Sequence, residues 1–139
     1  MNSGKNDSKK EILKNADLRC TQARLDILEV LQHSDTALTQ KQITDSLKDK
    51  YDKVTIYRTL ETFAYKDIVH KAYCREKIWH FELANRCGKE QCHPHFACQL
   101  CGKNFCLVGT SYPAVQIPKN FESLRQKVLI EGFCPDCKN

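Results

Sequence analysis

Apolar residues recur at helical spacing through the first half of the chain. Between Thr21 and about His33, Leu25, Leu28 and Leu31 combine with Ile27 and Val30 into a broad apolar face, which predicts an amphipathic helix. Lys9 to Ala16 predicts a shorter helix ahead of it, and residues 1–8 are expected to lack regular structure. A third helix carries a clear start signal. Thr39 stands at a capping position, Gln42 follows three residues later, and Leu38 and Ile43 flank them as a hydrophobic staple. It is expected to end near Lys48–Lys50. A fourth helix is predicted from about Lys53 to Lys66. There Ile56, Leu60 and Phe63 form a core stripe, and Thr55, Arg58, Thr59 and Thr62 form a polar face.

Beyond this point the period changes from helix to strand. Ile68–Tyr73 and Ile78–Leu83 are aromatic and β-branched runs around the charged Arg75-Glu76-Lys77, the pattern of a hairpin. Three helices followed by a hairpin is the order of a winged helix-turn-helix, whose last helix before the wing enters the major groove of DNA. Arg58 and the threonines would then reach phosphates, and Tyr57 base edges or a thymine methyl. A helical bundle with a solvated polar face is the competing reading. From His95 to Leu107 the chain reads as two short strands, and Lys127–Glu131 as another. Pro113 and Pro118 discourage a long helix between them. The expected fold class is therefore α+β: a winged-helix part followed by a small, mostly β part.

Composition narrows the setting. The chain has 139 residues, 28% of them charged, and no apolar run long enough for a membrane helix. Met1 to Lys10 is polar and lacks the apolar core of a signal peptide, so a cytoplasmic location with no membrane partner is expected. Nine cysteines in that setting argue for metal or redox chemistry rather than a disulfide scaffold. The formal net charge of +5 permits nucleic-acid binding without requiring it. Residues 1–77 hold 15 Lys and Arg against 12 Asp and Glu, and the remainder 7 against 5, so the excess is spread out.

The ligand-type residues are not spread out. Eight of nine cysteines and four of five histidines follow Val69, with a boundary expected near residues 84–88. Cys98 and Cys101 form one Cys-x-x-Cys knuckle and Cys134 and Cys137 a second. Four thiolates close a tetrahedral shell, which is the arrangement of a structural zinc site. Gly102 and Gly132 suit the tight turns of such knuckles. His93 and His95 alternate on a predicted strand and share a face, which suits zinc, iron or nickel. His70, His80, Glu82, Cys87, Cys92 and Cys106 are further candidates. His80 reads first as a polar strand residue, and Cys106 equally as a buried core thiol. Cys87 and Cys92 lie in a polar loop, and Cys20 and Cys74 have no evident partner. No nucleophile motif or open zinc site with a general base is present, and an enzyme is not expected.

Four segments together resemble the ferric uptake regulator (Fur) family of metal-responsive bacterial repressors. They are Arg19-Cys20-Thr21-Gln22-Ala23-Arg24, Val54-Thr55-Ile56-Tyr57-Arg58-Thr59-Leu60, His93 to Lys103 with its His-x-His-x-x-Cys-x-x-Cys-Gly-Lys core, and Gly132-Phe133-Cys134-Pro135-Asp136-Cys137. The resemblance implies a homodimer that binds a palindromic operator in double-stranded DNA. Residues 1–84 would form the DNA-binding winged helix and 85–139 the zinc-binding dimerisation domain. It implies DNA contacts from Arg19, Thr21, Arg24, Thr55, Tyr57 and Arg58. It also implies a sensor site of His70, His93, His95 and Cys106, with Glu82, Cys87 or Cys92 as extra ligands.

Three departures from the family pattern shape the expectation. A family histidine is replaced by Ala37, Cys106 falls where members carry an acidic ligand, and the 82–93 segment is longer and holds two extra cysteines. Softer donors favour zinc, so zinc regulation is expected ahead of Fe2+, Mn2+ or peroxide sensing. The long dimerisation helix of many members has Tyr112–Pro118 in its place.

Overall fold

The structure is a computed structural model that describes residues 3–86, 93–107, 109, 110 and 112–138. Four helices build its first half: α1 (Ser3–Asn15), α2 (Gln22–His33), α3 (Gln40–Ser46) and α4 (Lys53–Tyr65). Each predicted apolar stripe is buried. Leu13 of α1, Ile27, Leu28 and Leu31 of α2, Ile43 of α3, and Ile56, Leu60 and Phe63 of α4 meet in one core. Burying one such side chain contributes about 1.5–3 kcal/mol.

The caps explain where the helices start. Thr21 accepts from the Arg24 amide at 3.4 Å at the head of α2. Thr39 and Gln42 exchange both capping-box bonds, at 3.1 and 2.9 Å. Asp52 caps α4 by accepting from the Thr55 amide at 2.7 Å. α3 stops sooner than expected because Lys48 and Asp49 turn left-handed, with φ of 48° and 59°. α1 begins at Ser3 rather than Lys9, which corrects the expectation for residues 3–8. Leu13 anchors it in the core, and Lys9, itself buried, pairs with Glu29 of α2 at 2.9 Å. A helix so anchored extends toward its free end at little cost per residue.

The wing is a three-stranded sheet. β1 (Leu38–Thr39) lies on one side of β3 (Ile78–Leu83) and β2 (Val69–Arg75) on the other. The β2–β3 register pairs Val69 with Leu83 and His70 with Glu82, then shifts at a bulge between Lys71 and Tyr73. Paired residues in such a ladder point to the same face.

The second sheet has β4 (His95–Cys98) between β5 (Asn104–Cys106), antiparallel, and β6 (Leu129–Gly132), parallel. Residues 112–128 carry no helix. They bring Arg125 and Lys127 against the wing. Lys127 donates to the Lys71 carbonyl, and its ammonium lies 5.4 Å from the Trp79 ring centre. Leu129 packs on Ala37, Ala72 and Tyr73, and Arg75 donates to Asn104 at 3.4 Å. The observed class is the expected one, α+β with a winged helix-turn-helix followed by a small β unit.

Candidate functional site

Two clusters of metal-type donors stand out among the described residues. The first is Cys98, Cys101, Cys134 and Cys137, all within 4.8 Å of one another through their sulfurs. Strand pairing assembles it. Cys98 ends β4 opposite Gly132 of β6, and the Gln99 amide donates to the Gly132 carbonyl at 2.7 Å, so the second knuckle lands beside the first. The Cys98–Gly102 turn closes through a Gly102 amide bond to the Cys98 carbonyl, with Gly102 at φ 75°. Gly132 serves another purpose than the turn: an added Cβ would sit 3.2 Å from the Phe96 ring.

The cluster fits zinc. Zinc–sulfur bonds of about 2.3 Å give a tetrahedron with edges of about 3.8 Å. Cys101 Sγ and Cys134 Sγ are 3.8 Å apart, far beyond a disulfide bond. Backbone amides of Cys101 and Cys134 aim at Cys98 and pull its thiol down to about 6. Hydrogen bonding from Cys137 to Cys134 pushes the Cys137 thiol up to about 12. A cation bound between the four sulfurs would favour the thiolate form of each.

The second cluster is Glu82, His93, His95 and Cys106, again within 4.8 Å of one another. Two cross-strand pairs, one per sheet, position three of its four donors. In the wing, His70 stands opposite Glu82; in the second sheet, His95 stands opposite Cys106. His93 precedes β4 by two residues and lies with its ring 4.6 Å from that of His95. The donors converge on the Glu82 carboxylate, which is 1% exposed. Oε1 lies 2.7 Å from His70 Nε2 and 3.1 Å from His95 Nε2. Oε2 lies 3.4 Å from His93 Nε2 and accepts from Cys106 Sγ at 3.5 Å. Burial pushes the Glu82 carboxyl up, but hydrogen bonds from His70 and His95, with the charges of His95 and His93, outweigh it and hold it well below the carboxylate range. One oxygen, two nitrogens and one sulfur with a shared focus are a donor set that accommodates a divalent ion.

The expected site residues are thus largely brought together, with differences. His70 touches Glu82 but stands outside the four-donor cluster. Glu82, expected as an extra ligand, is its centre. His80 faces Tyr73 instead, with rings stacked at 4.4 Å, and burial lowers its pKa. Cys87 and Cys92 lie outside the described residues. Cys20 and Cys74 are exposed. Two neighbours carry no motif and were not anticipated. The Arg125 guanidinium donates to His70 Nδ1 at 3.1 Å. Tyr73, buried with its ring 5.0 Å from that of His95, has a hydroxyl without a hydrogen-bond partner among the described residues.

The expected DNA-contacting residues fall on two helices. Tyr57 and Arg58 project from the exposed face of α4 together with Val54. Thr55 is half-buried, and Thr59 is buried and donates to the Thr55 carbonyl at 2.8 Å, so it is not available to a phosphate as expected. Arg19, Thr21 and Arg24 gather at the start of α2, where Arg24 donates to the Arg19 carbonyl at 2.7 Å. Asp26 of α2 accepts from Lys50 and Tyr51 at 2.8 and 2.7 Å, which ties α2 to the loop that leads into α4.

Known proteins share both sequence and fold with this chain. The Ferric uptake regulation protein of Campylobacter jejuni is 28% identical, over 94% of this chain and 86% of its own length. The crystal structure of the Vibrio cholerae ferric uptake regulator superposes with a TM-score of 0.65 at 23% identity, covering 89% of this chain and 98% of that one. Holo XcZur gives 0.60 at 16% identity, covering 98% and 97%. The family model of the Ferric uptake regulator family matches residues 15–112, well over half of the chain. The paired donor clusters below a winged helix accordingly have a family to sit in, and the chain belongs to the ferric uptake regulator family of metal-responsive regulators.

Proposed function

We propose that this regulator is a zinc-responsive transcriptional repressor, acting in the cytoplasm as a homodimer on palindromic operator DNA. In this reading residues 1–84 bind DNA and 85–139 dimerise. Cys98, Cys101, Cys134 and Cys137 hold a structural Zn2+. Glu82, His93, His95 and Cys106 hold a regulatory ion, and Arg19, Thr21, Arg24, Thr55, Tyr57 and Arg58 face DNA.

The observation that carries the reading is the second cluster. Its donors come from β3 of the wing sheet and from β4 and β5 of the other, with His93 just ahead of β4. An ion bound there would supply a cross-link between the two sheets. Such a link shifts a population only if the ion binds one arrangement of the sheets more tightly than another. Two imidazoles, a buried carboxylate and a thiol meet that condition, because Glu82 of the wing joins His93, His95 and Cys106 only when the wing lies against the second sheet. The thiol argues for zinc over Fe2+ or Mn2+, which favour oxygen. A homodimer has support in the large apolar side chains exposed after Tyr112: Val115, Phe121, Leu124 and Phe133.

The test is DNA binding by a His93→Ala, His95→Ala double variant on an inverted-repeat duplex. Loss of the zinc requirement or of binding, with the cysteine-bound zinc retained, is expected; unaltered zinc-dependent binding would sink the assignment. An iron-responsive reading has its own observation, the identity to the Campylobacter protein. Comparing binding in Zn2+, Fe2+ and Mn2+ separates the two. A redox reading through Cys106 predicts loss of DNA binding at low peroxide with the regulatory metal unchanged.

A further inference from the structure

Arginine has only donors to offer, so its contact with His70 fixes the state of that imidazole. The Arg125 guanidinium lies 3.1 Å from His70 Nδ1. Nδ1 must therefore present its lone pair, and the ring proton of a neutral imidazole must sit on Nε2. From there it is donated to Glu82 Oε1, 2.7 Å away. Both nitrogens of His70 are then committed, and neither has a lone pair for a metal. His70 is 8% exposed, and it is held between a strand pair on one side and the 112–128 segment on the other.

We propose that Arg125 and His70 act as a positioning relay which orients Glu82 as a ligand and keeps His70 itself out of the metal shell. The inference rests on reading Glu82, His93, His95 and Cys106 as a metal site. His70 takes Oε1, so Oε2, the oxygen facing His93 and Cys106, is the ligand atom. Metal-bound carboxylates are commonly held by such outer hydrogen bonds. Arg125 sets the donor count. While it occupies Nδ1, the described residues offer the site four donors, the number zinc takes in closed tetrahedral sites. Were it withdrawn, the proton could move to Nδ1, and Nε2 would become a fifth donor beside Glu82. A five-donor site is more open to ions that prefer higher coordination. The relay also joins three parts of the chain, since Arg125 precedes β6, His70 opens the wing, and Glu82 is in β3.

The experiment uses full-length protein with zinc in the four-cysteine site and Co2+ added as probe. Cobalt-edge X-ray absorption then counts imidazoles at the second site alone. The wild type is expected to show two imidazoles and one sulfur. His70→Gln, whose amide can keep both hydrogen bonds, should leave that count unchanged and weaken Co2+ about 10-fold, the low end of losses for outer-shell partners. Arg125→Lys, which keeps a donor, should restore wild-type behaviour, whereas Arg125→Met should raise the count to three. Retained cysteine-bound zinc and far-UV circular dichroism report folding in each variant. Three imidazoles in the wild type, one lost in His70→Gln, or two in Arg125→Met would overturn the relay while leaving the metal site standing. No Co2+ bound beyond the four-cysteine site would overturn the site reading and the relay with it.

Discussion

Glu82 concentrates the consequences of single residues in this molecule. A buried carboxylate among three imidazoles and a thiol is tolerable only because its partners outweigh the cost of burial. Its pKa is depressed below the ordinary 4.5, so its contribution to stability is complete above that pH and is lost as pH falls below it. His80 acts earlier, since burial lowers its pKa below 6.5: the unfolded chain takes up that proton first, and stability declines as pH drops through that value. Metal-free protein should therefore lose stability in two stages, below 6.5 and again below 4.5. Denaturation midpoints across a pH series check this, and Glu82→Gln should flatten the second stage; an undiminished slope there would argue against it. On α4, Tyr57 and Arg58 are exposed. If they face DNA as proposed, replacing both by Ala should abolish DNA binding while shifting stability by no more than about 0.5 kcal/mol, as usual for surface positions. Gel-shift titration and thermal melting of the same variant read the two effects separately.

Among the elements, the caps and stripes of α2, α3 and α4 were legible because each signal is local. Thr39 and Gln42 lie within one turn, and Ile56, Leu60 and Phe63 lie on one stripe. Thr59 shows the limit of such reading. Its type suits a polar face, but burial turns its hydroxyl back to the Thr55 carbonyl. The wing turn is another element-level feature. Glu76 and Lys77 close a two-residue loop with φ of 51° and 66°. Hairpin loops of this kind need positive φ at both central positions, and non-glycine residues pay about 1–2 kcal/mol each for it. Lys77→Gly should raise stability by about 1 kcal/mol and the melting midpoint by roughly 3–5 °C. A lower midpoint would show that the lysine makes a compensating contact. Pro113 and Pro118 were read as discouraging a long helix, and residues 112–128 carry none. That this segment would carry Arg125 to His70 was not legible, because no periodicity encodes where an irregular segment lies.

At the scale of the whole molecule, the four-cysteine cluster fastens β6 to β4. The parallel pairing of these short strands contributes little stability by itself, whereas structural zinc sites supply on the order of 10 kcal/mol of binding free energy. On the proposed reading of a zinc-holding homodimer, Cys134→Ser should yield protein one zinc short, with the β6 register lost and the dimer weakened. Metal analysis and light scattering would show this, and a full zinc complement in a stable dimer would contradict it. The same tether places β4, and with it His93 and His95, against the wing.

The sequence alone determined the helices, the hairpin, the two knuckles and the family, because these depend on spacing within short stretches or on motifs in a fixed order. It also supplied the members of the second cluster, but not their roles. Only the tertiary structure decided that Glu82 is the focus, that His70 stands behind it, and that Arg125 stands behind His70. Those relations arise from strand register and from the packing of one sheet on another. A donor's role depends on which atoms surround it, and residues 70, 82, 93, 106 and 125 meet only when the chain has closed on itself.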